Sequence, residues 1–83
     1  MAHIIFGMQL SDRESLAHDM QKLLTEYGCS IKTRFGLHDV HGNVCSPTGI
    51  ILLEMFGDEA PINELEEKLK GMDGVTFKKM VFD

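Results

Sequence analysis

The segment His38-Asp-Val-His-Gly-Asn-Val-Cys45 gathers two of the chain's four histidines and one of its two cysteines. Imidazole nitrogen and thiolate sulfur are the favoured donors to zinc, nickel and copper. His38, His41 and Cys45 therefore offer three ligands to a transition metal, with nickel or zinc as first candidates. Water, Cys29 or a second subunit would supply the fourth. The spacing H-x2-H-x3-C lacks the paired motif of a zinc finger. The same residues also suit a plain solvated loop, in which Gly42 and Asn43 serve the turn and Cys45 packs against the following strand. Histidines placed there can equally sense protons or contact an anionic effector.

The other reactive residues carry weaker signals. Cys29 reads as a small buried hydrophobe. His18 lies off the apolar stripe of a helix, and His3 opens a strand. Lys32 and Arg34 can bind an anion, although charge that limits edge aggregation is the simpler account, as it is for Lys78-Lys79. Met8, Met20, Met55 and Met72 fall in apolar stripes and read as core filling. Glu54 and His38 can meet on a sheet face, yet no nucleophile–base–orienter set emerges. No phosphate loop or dinucleotide fingerprint occurs. A non-enzymatic role is expected.

The chain has 83 residues and 9.3 kDa, which suits one domain over 1–83. A domain this small buries a limited core, so a homo-oligomer, dimer or tetramer, is expected. Thirteen acidic residues against eight basic ones give a net charge of −5, which argues against direct nucleic-acid binding. Two cysteines make no disulfide framework and no signal peptide is evident, so a reducing cytoplasm is the expected compartment. No apolar run approaches the roughly 20 residues of a membrane span.

The elements that position the 38–45 segment follow from periodicity. Ile4, Phe6, Met8 and Leu10 alternate along a strand over 3–10. Ser11-Asp-Arg-Glu14 forms a capping box, and Leu16, Met20, Leu23, Leu24 and Tyr27 follow at helical spacing until Gly28. Cys29 to His38 reads as a second strand with Ile31, Thr33, Phe35 and Leu37 on its buried face. Asp39 to Pro47 reads as a polar loop, and Thr48 to Phe56 as the third and most apolar strand. Asp58, Glu59 and Pro61 suit the start of a second helix, striped by Ile62, Leu65, Leu69 and Met72. Asp73-Gly74 turns the chain into a last strand over 75–82.

The order βαββαβ predicts an α+β ferredoxin-like sandwich with two right-handed split crossovers. It would have a four-stranded antiparallel sheet in the order 4-1-3-2 and two helices on one face. The uncovered face would carry His3, Ile5, Gly7 and Gln9 from strand one. Strand three would add Ile50, Leu52, Glu54 and Phe56, and strand two Lys32, Arg34, Gly36 and His38. An open face is ordinarily polar. Ile5, Ile50, Leu52 and Phe56 therefore mark an expected subunit interface or ligand platform.

Several stretches carry a family likeness. Asp12-Arg13-Glu14-Ser15, Gly36-Leu37, Gly49-Ile-Ile-Leu-Leu and Gly71-Met-Asp-Gly-Val75 resemble an ACT-type regulatory domain, in particular the iron-only hydrogenase system regulators, over nearly the whole chain. The chain is also similar to the ACT-like C-terminal domain of nickel-responsive transcription regulators. There, histidines and a cysteine ahead of the third strand bind nickel at a subunit boundary, as His38, His41 and Cys45 precede Ile50 here. Amino-acid-binding ACT domains usually carry a glycine after strand one, where this chain has Ser11-Asp-Arg-Glu14. Acylphosphatases and C-x-x-C metallochaperones share the topology, but neither motif is present.

The likeness implies a stand-alone ACT-like regulatory domain. It would oligomerise and respond to a small ligand or transition metal near 38–45. The alternative is a non-enzymatic adaptor or oligomerisation module that docks on a partner enzyme or maturation factor through its open sheet face.

Overall fold

The structure is a computed structural model. It describes the backbone of residues 3–11, 14–41 and 44–83, and the side chains of 3–11, 16–36 and 49–83. Strand β1 spans His3–Leu10, helix α1 Glu14–Glu26, β2 Ile31–His41, β3 Val44–Met55, helix α2 Glu59–Lys70 and β4 Val75–Phe82. The four strands form one antiparallel sheet in the order β2-β3-β1-β4. This is the expected βαββαβ topology, with β1 and β3 central.

Alternation in the central strands builds the core. Phe6, Met8 and Leu10 of β1 and Leu53 and Met55 of β3 are buried beneath Leu16, Met20 and Leu24 of α1 and Ile62, Leu65 and Leu69 of α2. Phe77 of β4 meets Phe6 edge-on, with ring centroids 5.0 Å apart, a geometry that suits the ring quadrupoles. Among the described residues one charged group is buried in this layer. Glu66 is 7% exposed, and its carboxylate accepts from Lys79 Nζ of β4 at 2.9 and 3.2 Å and pairs with Lys70 Nζ at 2.8 Å. Gly74, at φ +88°, makes the tight entry into β4 that the Asp73-Gly74 pair predicts.

Four expectations change. First, β2 begins at Ile31. A 3-10 turn over Gly28–Ser30 separates it from α1 and leaves Cys29 exposed, where the sequence suggested a buried thiol. Second, β2 reverses its faces. Ile31 pairs with Met55 but Thr33 pairs with Glu54, so the ladder is irregular around Lys32. An extra residue in one strand switches every side chain after it to the other face. Thr33 and Phe35, expected inside, lie on the open face, while Arg34 Nη2 donates to Gln21 Oε1 of α1 on the helix side. Third, much of the segment expected as a loop over 39–47 is ladder, with Val40 opposite Cys45 and His41 opposite Val44. Fourth, β3 ends at Met55, so Phe56 lies beyond the strand. The capping box falls on residues 11–14, of which 12, 13 and the Glu14 side chain lie outside the described residues.

Candidate ligand surfaces of the open sheet face

The sheet face away from the helices is built in rows by strand register. One row runs Thr33, Glu54, Ile5, Met80, and the next runs Phe35, Leu52, Gly7, Lys78. A third contains Ile50, Gln9 and Thr76. Phe35 is 56% exposed, Met80 49%, Phe82 57% and Ile50 38%, and Ile5 and Leu52 are partly exposed. These side chains make the face apolar at its centre and at the Met80 and Phe82 end of β4.

Gly7 interrupts that apolar layer. Without a side chain there, the strand leaves a hollow of about 280 Å³, walled by Ile50, Leu52 and Met80 and rimmed by Thr76 and Lys78.

At one end of the face a polar cluster forms around Glu54. His3 Nε2 donates to Glu54 Oε2 at 2.7 Å and Thr33 Oγ1 donates to Oε1 at 2.8 Å. Lys32 Nζ stands 4.0 Å away. The hydrogen bond from His3, then that from Thr33, hold the Glu54 carboxyl below the usual range, and the Lys32 charge adds to the effect. The sequence suggested His38 as the partner of Glu54; the partner found is His3. Both ends of the pair were on the expected face, and only their proximity across β1 and β3 was hidden. Beside the pair lies a cavity of about 480 Å³ at the start of α2, with Phe56 in its wall. Phe56, 61% exposed, thus belongs to this end cavity, while Ile5, Ile50 and Leu52 belong to the central rows.

The side chains of His38, His41 and Cys45 lie outside the described residues. The backbone places His38 opposite Gly49 and the other two near the far end of the β2–β3 hairpin. Among the described residues no group of three metal-ligating side chains comes together. No helix among them is long and apolar enough to cross a membrane.

No protein-family model matches the chain, and no curated protein matches it. Solved structures do. An uncharacterized protein from Thermotoga maritima is 25% identical with a TM-score of 0.82, covering 100% of each chain. CPII, a nitrogen regulatory PII-like protein from Thiomonas intermedia K12 bound to ADP, AMP and bicarbonate, is 13% identical with a TM-score of 0.56, covering 100% of this chain and 94% of that one. A formyltetrahydrofolate deformylase from Pseudomonas putida KT2440 is 13% identical with a TM-score of 0.57, covering 94% of this chain and 28% of that one. The last two likenesses are of fold.

Proposed function

We propose that this chain is a small ACT-like regulatory domain, akin to the iron-only hydrogenase system regulators, that self-associates through its open sheet face and responds to a small ligand or transition metal. The observation that carries the reading is the apolar open face, where Phe35, Met80 and Phe82 are about half exposed. Apolar side chains gathered on one face lose water when a second surface covers them, at roughly 25 cal/mol per Å². A regulator built this way transmits a signal when its effector binds one assembly state better than another. His38, His41 and Cys45 are the proposed metal ligands, and Ile5, Ile50, Leu52 and Phe56 the proposed interface. The likeness to CPII, which binds ADP, AMP and bicarbonate, adds adenine nucleotides to the effectors worth testing.

Sedimentation velocity at about 100 μM protein tests the self-association. The expected result is an oligomer that Leu52→Lys weakens while far-UV helix and strand signals persist. A wild type that stays monomeric overturns the reading. Zinc and nickel titration by calorimetry, with Cys45→Ser as control, tests the metal. Binding should weaken below about pH 6, because imidazole must be neutral and the thiol deprotonated to ligate. Absence of any site tighter than about 100 μM, near −5.5 kcal/mol, would remove the metal from the proposal.

A further inference from the structure

We infer that the hollow over Gly7 binds a small monocarboxylate with an apolar body, whose carboxylate pairs with Lys78. The inference rests on the self-association reading in one respect, that a second copy closes over the hollow. Three observations support it.

The first is Gly7 itself. Glycine in the middle of a central strand weakens it, through chain entropy and lost packing, and often marks close approach by another group. A Cβ at Gly7 would meet Leu52 Cδ2 at 3.4 Å and the Lys78 carbonyl oxygen at 4.0 Å. A Cβ fits there at ordinary contact distance, so crowding at that atom does not require the glycine; its effect is to leave the hollow open.

The second is the lining. Ile50, Leu52 and Met80 wall the hollow with hydrocarbon and thioether, while Thr76 supplies a hydroxyl at the rim. Its volume of about 280 Å³ admits about nine heavy atoms at about 30 Å³ for each water-sized group. Small-molecule sites are apolar concavities with few polar groups that fix orientation.

The third is charge. The Lys78 ammonium has no hydrogen bond or ion pair among the described residues, whereas that of Lys79 beside it is held by Glu66. The carboxylate in the neighbouring row, Glu54, is already engaged by His3 and Thr33 and flanked by Lys32. A second copy laid on this face would cover an ammonium with no free acidic partner among the described residues of the face, and covering an unpaired charge is costly. A ligand that brings its own carboxylate removes that cost while its body fills the hollow.

The probe is 4-methylpentanoate, compared with its neutral amide, on the full chain by calorimetry and by amide chemical shifts. The acid is expected to bind about tenfold more tightly than the amide, and Lys78→Met to reduce that preference to about twofold or less. Gly7→Val, which fills the hollow, should weaken acid binding by about tenfold or more, with Gly7→Ala between it and wild type. The acid should shift the amides of Gly7, Leu52 and Lys78. No saturable binding up to about 10 mM, equal binding of acid and amide, or unchanged binding by Gly7→Val would each overturn the inference. Sedimentation without the acid reads self-association separately. A monomer that binds the acid through Gly7 and Lys78 upholds the hollow and overturns the self-association alone. An oligomer that fails to bind the acid overturns the hollow alone.

Discussion

At the residue scale, the carboxylate that matters most to the body of the fold is Glu66. The apolar stripe read from the sequence was Ile62, Leu65, Leu69 and Met72, yet the buried face of α2 also takes in Glu66, at i+4 from Ile62. Sequence alone does not mark it, because one of the two lysines that satisfy it, Lys79, lies thirteen residues on in another element. Lys70, then Lys79, hold the Glu66 carboxyl below its ordinary value of 4.5. The sign follows from linkage. A carboxyl whose folded pKa is depressed adds stability above its unfolded pKa and loses it as the pH falls through the folded value. Lys79→Met should therefore cost about 1 kcal/mol at neutral pH, since Lys70 remains and Lys79 is partly exposed. Urea unfolding should show that deficit at pH 7. The gap from wild type should begin to shrink below the ordinary value of 4.5, where the unfolded chain takes up the proton, and close as the pH falls through the depressed folded value, where Glu66 is protonated in both states.

At the element scale, β1, both helices and β4 were legible because each keeps one period from end to end. Strand β2 was not. Its alternation Ile31, Thr33, Phe35 is regular in sequence, and nothing in Lys32 announces the irregular pairing that turns Thr33 and Phe35 outward. The far part of the hairpin was missed for another reason. Gly42, Asn43 and Pro47 are turn residues, and they hid ladder positions on either side of them. The correction makes a contrast. Phe35→Ser should leave stability within about 0.5 kcal/mol, as an exposed substitution does, and weaken self-association. Leu53→Ala, at a position with 0% exposure, should cost about 3 kcal/mol through lost contacts and a cavity. Equilibrium denaturation and sedimentation of the two variants read the two effects independently. The candidate sites divide the same way. The apolar face was readable from strands one and three, but the contributions of Phe35, Met80 and Phe82 needed the observed register, and the hollow needed Gly7 to be seen between Leu52 and Lys78.

At the scale of the whole molecule, the shape departs from a compact ball. The radius of gyration is 13.1 Å, against about 12 Å for a compact chain of this length. The excess follows from the ladder. Pairing of β1 with β3 stops at Leu10 opposite Gly49, while the β2–β3 pairing continues to His41 opposite Val44. The hairpin thus reaches past the helix-covered body as a two-stranded arm, carrying the backbone positions of His38, His41 and Cys45.

The order β2-β3-β1-β4 also sets a timetable for synthesis. Of these four strands, the first to leave the ribosome is a central one, flanked by β3 on one edge and β4 on the other. His3 to Leu10 stays incomplete until Val75 to Phe82 arrives to pair with it. During translation, at roughly 5–20 residues per second, Phe6 and Met8 would remain next to an unfilled sheet edge for several seconds. A nascent chain arrested after residue 74 should be protease-sensitive throughout, including α1, and release of the last strand should confer protection on the whole fold in one step. Pulse proteolysis of stalled chains would measure it; early protection of α1 in the arrested chain would show instead that the helix layer forms before the sheet is closed.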